Sequence, residues 1–78
     1  MISVEQIKAA RAFLGWSTLE LSRQSGVGAT TIRRYEMSSG IPSANTKVLL
    51  LIQSCFESAG IEFTGDPLKN PGVILHIK

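Results

Sequence analysis

The chain contains a single cysteine, Cys55, and a single histidine, His76. A lone cysteine closes no intramolecular disulfide, and a zinc site would lack its usual set of Cys and His ligands. There is no Gly-rich phosphate loop, and no pair of carboxylates falls where the two could share acid–base work. An enzyme is therefore not expected, and neither is a cofactor, a metal or a small-molecule ligand. Long apolar runs are lacking too: Val48 to Ile52 falls far short of the roughly 20 residues that span a bilayer. The opening MISVEQIKAA has no basic stretch leading into an apolar one, so no signal peptide is expected. With Cys55 among apolar neighbours, as suits a reduced buried thiol, the expectation is a cytoplasmic protein without a membrane partner.

What the chain does have is enough apolar content for one modest core: 78 residues, of which 44% are hydrophobic. A separate ligand-sensing domain is not expected within these residues. Net charge is only +2, but it is unevenly spread. From Lys8 to Lys47, six basic residues (Lys8, Arg11, Arg23, Arg33, Arg34, Lys47) stand against Glu20 and Glu36. Beyond Val48, Lys69 and Lys78 face Glu57, Glu62 and Asp66. The N-terminal half is the candidate face for a polyanion, with a merely solvated surface as the alternative.

Four helices and a hairpin are legible. Ser3 and Gln6 form a capping box, with Ile2 and Ile7 as a hydrophobic staple. Ile7, Ala10 and Leu14 follow at helical spacing with Phe13 beside them, and Gly15 ends the helix. Ser17 and Glu20 suggest a second capping box, opening a helix whose inner face is Leu19, Leu21 and Ser22 and which stops at Gly26. A third helix starts near Gly28 or Ala29 and runs through Tyr35. Met37 to Pro42 is a loop. Ser43 or Asn45 caps the fourth helix, which reaches about Ala59 with Gly60 beyond it. Spacing its residues at roughly 100° puts Leu51, Cys55, Val48, Ala59, Ile52, Phe56 and Leu49 on one broad inner arc and leaves Leu50 among polar residues. After Gly60 the apolar period falls to two, with Ile61 and Phe63, then Val73, Leu75 and Ile77, so two short strands are predicted around a long turn. Such a hairpin is marginal alone and should lie on the helices or pair across a dimer. The predicted class is mainly α: a compact four-helix domain over 1–60 and a C-terminal hairpin over 61–78, either part of that domain or a dimerisation element.

The stretch from Thr18 to Glu36 carries the functional signal. Ser22 is small where the second helix must approach the third, Gly26 permits a sharp turn, and Leu21, Val27 and Ile32 fill the space between, with Tyr35 continuing that seam. The third helix is then left protruding over about 28–36, with Gly28, Ala29 and Thr30 first and Arg33 and Arg34 a turn later. A helix presented in this way fits the major groove of duplex DNA.

In the spacing of Leu21, Ser22, Gly26, Val27, Ile32 and Glu36, the chain resembles the Cro/C1-type (XRE) helix-turn-helix family, over about residues 4 to 60. The family usually has alanine where Ser22 stands and a longer polar residue, often glutamine, at Thr18. The tail, with Ala59 to Phe63 and Pro71-Gly72-Val73, is similar to a subgroup with a C-terminal β-hairpin, although Ile74 stands where that subgroup often has arginine. The resemblance implies a transcriptional regulator, repressor-like, with these roles. Ala29, Thr30, Arg33 and Arg34 face base edges or the flanking backbone. Thr18 contacts a phosphate at the start of the second helix, and Asn45 and Thr46 contact another at the start of the fourth. Arg11 and Glu36 form a structural salt bridge between the first helix and the third.

Arg33 and Arg34 are the strongest candidates for readout, because the guanidinium fork matches guanine O6 and N7. Phosphate contact or plain solvation remain the alternatives. Expected partners are double-stranded DNA and a second copy of the chain, since one half-site gives limited affinity. Two surfaces could form that homodimer, the hairpin edge (slightly preferred) or Leu50 with the exposed side of the fourth helix. The competing functional reading is a protein-interaction module, such as the antidote of a toxin pair that also autoregulates. His76 reads as a surface residue and Trp16 as packing at the core edge.

Overall fold

Ser3 opens the first helix: its Oγ accepts from the Gln6 backbone N–H (3.2 Å), and the Gln6 carboxamide accepts from the Ser3 backbone N–H (3.0 Å). In the computed structural model, which describes residues 2–42 and 45–77, this box begins α1 (Val4–Leu14), and Gly15 closes it in a left-handed conformation. The second helix, α2 (Thr18–Ser25), starts where Ser17 Oγ accepts from the Glu20 N–H at 3.0 Å. The expected reciprocal bond from Glu20 is replaced. Its carboxylate accepts instead from Arg23 (2.8 Å) and Gln24 (2.8 Å), and these bonds, Arg23's above all, hold the carboxyl below its ordinary range. A charge-assisted bond to a guanidinium outcompetes a neutral backbone amide.

Two further helices follow, α3 (Ala29–Glu36) and α4 (Thr46–Ser58). Asn45 caps α4, its Oδ1 accepting from the Lys47 N–H at 2.8 Å; Ser43, the other candidate cap, lies outside the described residues. After α4 the chain turns at Gly60, whose φ of +100° and whose approach to the His76 carbonyl, 2.9 Å from where a Cβ would sit, suit glycine alone. Strand β1 (Ile61–Thr64) then pairs antiparallel with β2 (Gly72–Leu75), Ile61 opposite Leu75 and Phe63 opposite Val73. These four residues turn one side of the hairpin onto the core.

The core runs through every helix: Ile7 and Ala10 from α1, Leu21 from α2, Ile32 and Tyr35 from α3, and Leu49, Ile52 and Phe56 from α4 are buried together, with Ile61 from the hairpin. Phe56 links the turn before α2 to the hairpin. Its ring stacks on Trp16 (centroids 5.8 Å) and meets the edge of Phe63 (6.0 Å), so Trp16 does pack at the core edge. Cys55 is partly buried in this layer, and that burial pushes its thiol pKa up.

Four expectations need correction. Ile77 does not continue the second strand: β2 ends at Leu75, and Ile77 is exposed. Leu19 is not on the inner face of α2; it is 64% exposed. Leu19 and Leu21 are about 200° apart on a helix, so an eight-residue element buried on one side takes only one of them. Leu51 is not in the core either: α4 is rotated so that Leu49, Ile52 and Phe56 face inward, while Leu50 and Leu51 are each 51% exposed. Phe13, placed beside the inner face of α1, is 54% exposed, because Ile7 and Ala10 take the buried positions of that helix.

Gln6 does more than cap. It is buried, and its Nε2 donates to the carbonyls of Thr64 (3.2 Å) and Gly72 (3.1 Å), fastening the hairpin to the start of α1. Glutamate is the commonest partner in a capping box, yet here a carboxylate would face two carbonyl oxygens and have nothing to donate. Gln6→Glu is therefore expected to cost at least about 2 kcal/mol, read as a fall in Tm of roughly 8–16 °C. An unchanged melting curve would mean that these two bonds contribute nothing.

Candidate nucleic-acid interface

The geometry of α3 follows from what it buries. Ile32 and Tyr35 are its two buried residues, and at roughly 100° per residue the direction opposite them falls on Thr30. Arg33 and Arg34 lie about 50° to either side of Thr30, and all three are exposed. Ala29, partly buried, shares Arg33's flank at the i, i+4 spacing. The Arg34 guanidinium lies over the Tyr35 ring, 5.9 Å from its centroid, which draws that side chain toward the buried seam. Arg33 extends from the other side.

The turn before α3 is tight. Gly26, at φ +78°, ends α2, with its N–H bonded to the Ser22 carbonyl. Val27 drops into the core, and Gly28 takes the N-cap position of α3 with no side-chain cap bond. The backbone at Gly28 is exposed, and a Cβ there would meet nothing within 4 Å. The first N–H groups of α3 consequently point outward from small residues, a favourable setting for an anionic oxygen.

Arg11 holds this helix in place. Its Nε and Nη2 donate to the two carboxylate oxygens of Glu36 at 2.8 and 2.7 Å, and its Nη1 donates to the Trp16 carbonyl at 2.8 Å. One side chain thus ties α1, the turn before α2 and the last turn of α3. With side-chain exposures of 23% and 11% the pair is largely shielded, so removing one partner strands the other. Arg11→Ala is expected to cost about 2–3 kcal/mol, lowering Tm by roughly 8–24 °C. Arg11→Met with Glu36→Leu should lose less, because neither charge is left behind. A single variant that melts like the parent protein would remove Arg11 from its structural role.

The ion pairs also sort the charge. Arg11 and Arg23 are matched by Glu36 and Glu20. The excess of the N-terminal half therefore resides in Lys8, Arg33, Arg34 and Lys47, all exposed and outside any ion pair among the described residues. Two of these four adjoin on the outer face of α3.

The remaining candidates are dispersed. Thr18 is the first residue of α2 and partly buried. Asn45 and Thr46 stand exposed at the start of α4, beyond the loop that follows α3. Asn45 spends its oxygen on the cap, which leaves its amide NH2 as a donor. Leu51 is the residue that sequence reasoning missed: with Lys47, Leu50 and Ser54 it lines a shallow groove on the outside of α4. Its one sequence signal was the unbroken Leu49-Leu50-Leu51 run, in which three consecutive residues cannot all face inward. His76 lies in the open, its Nε2 2.7 Å from Glu62 Oε1, and no cluster of metal-ligating side chains occurs among the described residues. No helix among them is long and apolar enough to cross a membrane.

Comparison of the chain with family models, with curated proteins and with solved structures finds no match.

Proposed function

We propose that the protein is a sequence-specific duplex-DNA-binding regulator of the Cro/C1 helix-turn-helix type, with α2 and α3 as the paired helices and α3 as the reader. One observation carries this reading: α3 buries only Ile32 and Tyr35 and turns Thr30, Arg33 and Arg34 outward together. A rigidly held helix of about 10–12 Å diameter fits a major groove about 12 Å wide. Thr30, at the apex, offers a hydroxyl and a methyl, and the methyl suits the thymine C5-methyl. The arginines on either side offer one fork to a guanine edge and one to the backbone, since consecutive helical residues diverge. Thr18 and the starts of α3 and α4 supply hydroxyl, amide and backbone N–H donors suited to phosphates.

Binding one half-site in this way buries little surface, so the reading includes two copies of the chain on an inverted repeat, blocking or recruiting at a promoter. The test is titration of duplexes with the parent protein and with Thr30→Ala. This substitution is expected to weaken binding to a selected site by about 1 kcal/mol, roughly fivefold, and to leave binding to unrelated duplex unchanged. An equal effect on both classes of duplex would place Thr30 outside base readout.

A further inference from the structure

We infer that the outer face of α4 is a self-association surface, on which a second copy of the chain packs its own α4 antiparallel about a two-fold axis. The inference names the partner surface for the regulator proposed above and rests on that reading for its purpose, though not for its evidence.

The first observation is apolar. Leu50 and Leu51, each 51% exposed, stand side by side on α4, with Ser54 one turn further on and Lys47 one turn back. Core packing explains neither leucine, because Leu49, Ile52 and Phe56 already fill the inward face. Ser54 is small where a facing helix would lodge a leucine, as ridge-into-groove packing requires.

The second observation is charge, and it selects the occupant. Lys47 lies in the first turn of α4 and Glu57 in its last, and both are exposed. This is the reverse of what a lone helix favours, since the N-terminal end carries partial positive charge and the C-terminal end partial negative charge. No acidic residue occupies the first turn and no basic residue the last. An antiparallel second α4 reverses the conflict. It sets each Lys47 beside the partner's Glu57 and beside the negative end of the partner helix, and each Glu57 beside the positive end. Two-fold symmetry makes both contacts twice. A parallel partner would place like charges together, and an unrelated apolar segment would leave both termini as they are.

A 13-residue helix is about 20 Å long, so the contact is small by the standard of stable dimers. Association is accordingly weak in free solution, with a dissociation constant on the order of 10–100 µM, and becomes effective when two adjacent half-sites hold the copies together.

The experiment is sedimentation equilibrium of the full chain without DNA, from about 5 µM to 1 mM. A monomer–dimer equilibrium is expected. Leu50→Ser with Leu51→Ser should raise the dissociation constant at least roughly tenfold, and circular dichroism should show a retained helical fold, as neither leucine belongs to the buried core. Lys47→Glu and Glu57→Lys should each weaken the dimer several-fold. K47E and E57K combined should restore it in part, because the charge pairs re-form while the partner helix ends no longer favour them, and such a rescue is one that general destabilisation cannot produce. A monomer throughout the range overturns the inference. So does a dimer indifferent to all of these changes, which would point to the hairpin edge. Without DNA present, the result stands apart from the functional reading: a monomer that still selects a DNA sequence sinks this surface alone, and a dimer with no DNA preference sinks the reading alone.

Discussion

Replacing Arg33 and Arg34 together by alanine is expected to abolish specific duplex binding at working concentrations, weakening it by about 100-fold or more. The estimate is additive. A bidentate arginine–guanine contact discriminates by about 1–3 kcal/mol, and a phosphate contact adds a further electrostatic share that depends on salt. Two lost cations should also flatten the dependence of log affinity on log salt, by about 0.9 for each arginine that had neutralised a phosphate. The fold should survive, because both side chains are exposed and neither joins an ion pair among the described residues; alanine is also the better helix former. The single variants separate the roles. The arginine on a base relaxes sequence preference at one position, and the arginine on the backbone weakens all sequences alike. A double variant that binds a selected duplex as tightly as the parent protein would show that α3 is not the reader.

The largest effect on stability is expected at Phe56. Truncation of a buried phenylalanine to alanine costs about 3–5 kcal/mol, and here the ring also supplies the stacked contact with Trp16 and the edge contact with Phe63, pairs of a kind worth about 0.5–1.5 kcal/mol each. A domain of this size has roughly 4–12 kcal/mol in total. Phe56→Ala should thus remove a third or more of the stability and lower Tm by at least about 15 °C. The loss is global, because this ring is where the turn before α2, the core of α4 and the hairpin meet. Phe56→Leu keeps most of the volume and should cost far less. Equal Tm values for the two variants would mean that the volume leucine restores contributes nothing and that the loss lies in the ring contacts with Trp16 and Phe63.

Features set by neighbours in sequence were readable in advance. Ser3 with Gln6, Gly15, Gly26 and the period-two strands on either side of Gly65 to Pro71 all obey local rules, and all are found. The four helices and the hairpin follow from these signals. The phase of α4 did not, because Val48 to Ile52 is apolar at every position and so gives no direction; the hairpin and α2, packed against α4, choose its inner face and leave Leu50 and Leu51 outside. In α2, the 200° between Leu19 and Leu21 already excluded one of them from the core, but nothing local decided which.

Long-range polar contacts were the least legible. The second role of Gln6 spans 58 and 66 residues to the hairpin carbonyls, and no spacing rule reaches that far. The pairing of Arg11 with Glu36, 25 residues apart, was suggested by family resemblance and not by any pattern in this chain. For the candidate interface, the sequence named Arg33 and Arg34 as the strongest candidates for readout, with phosphate contact or plain solvation left open. Only the burial of Ile32 and Tyr35 and the capture of Arg11 and Arg23 by carboxylates distinguish these two cations from the other basic residues.

The central claim is sequence-specific reading of duplex DNA by two copies of α3, and selection from a randomised duplex pool at near-physiological salt tests it most directly. The account predicts enrichment of an inverted repeat whose half-site centres lie about one DNA turn apart, roughly 34–36 Å. A pool that stays random, with binding that vanishes as salt rises, would contradict it and leave the partner-binding module as the better reading.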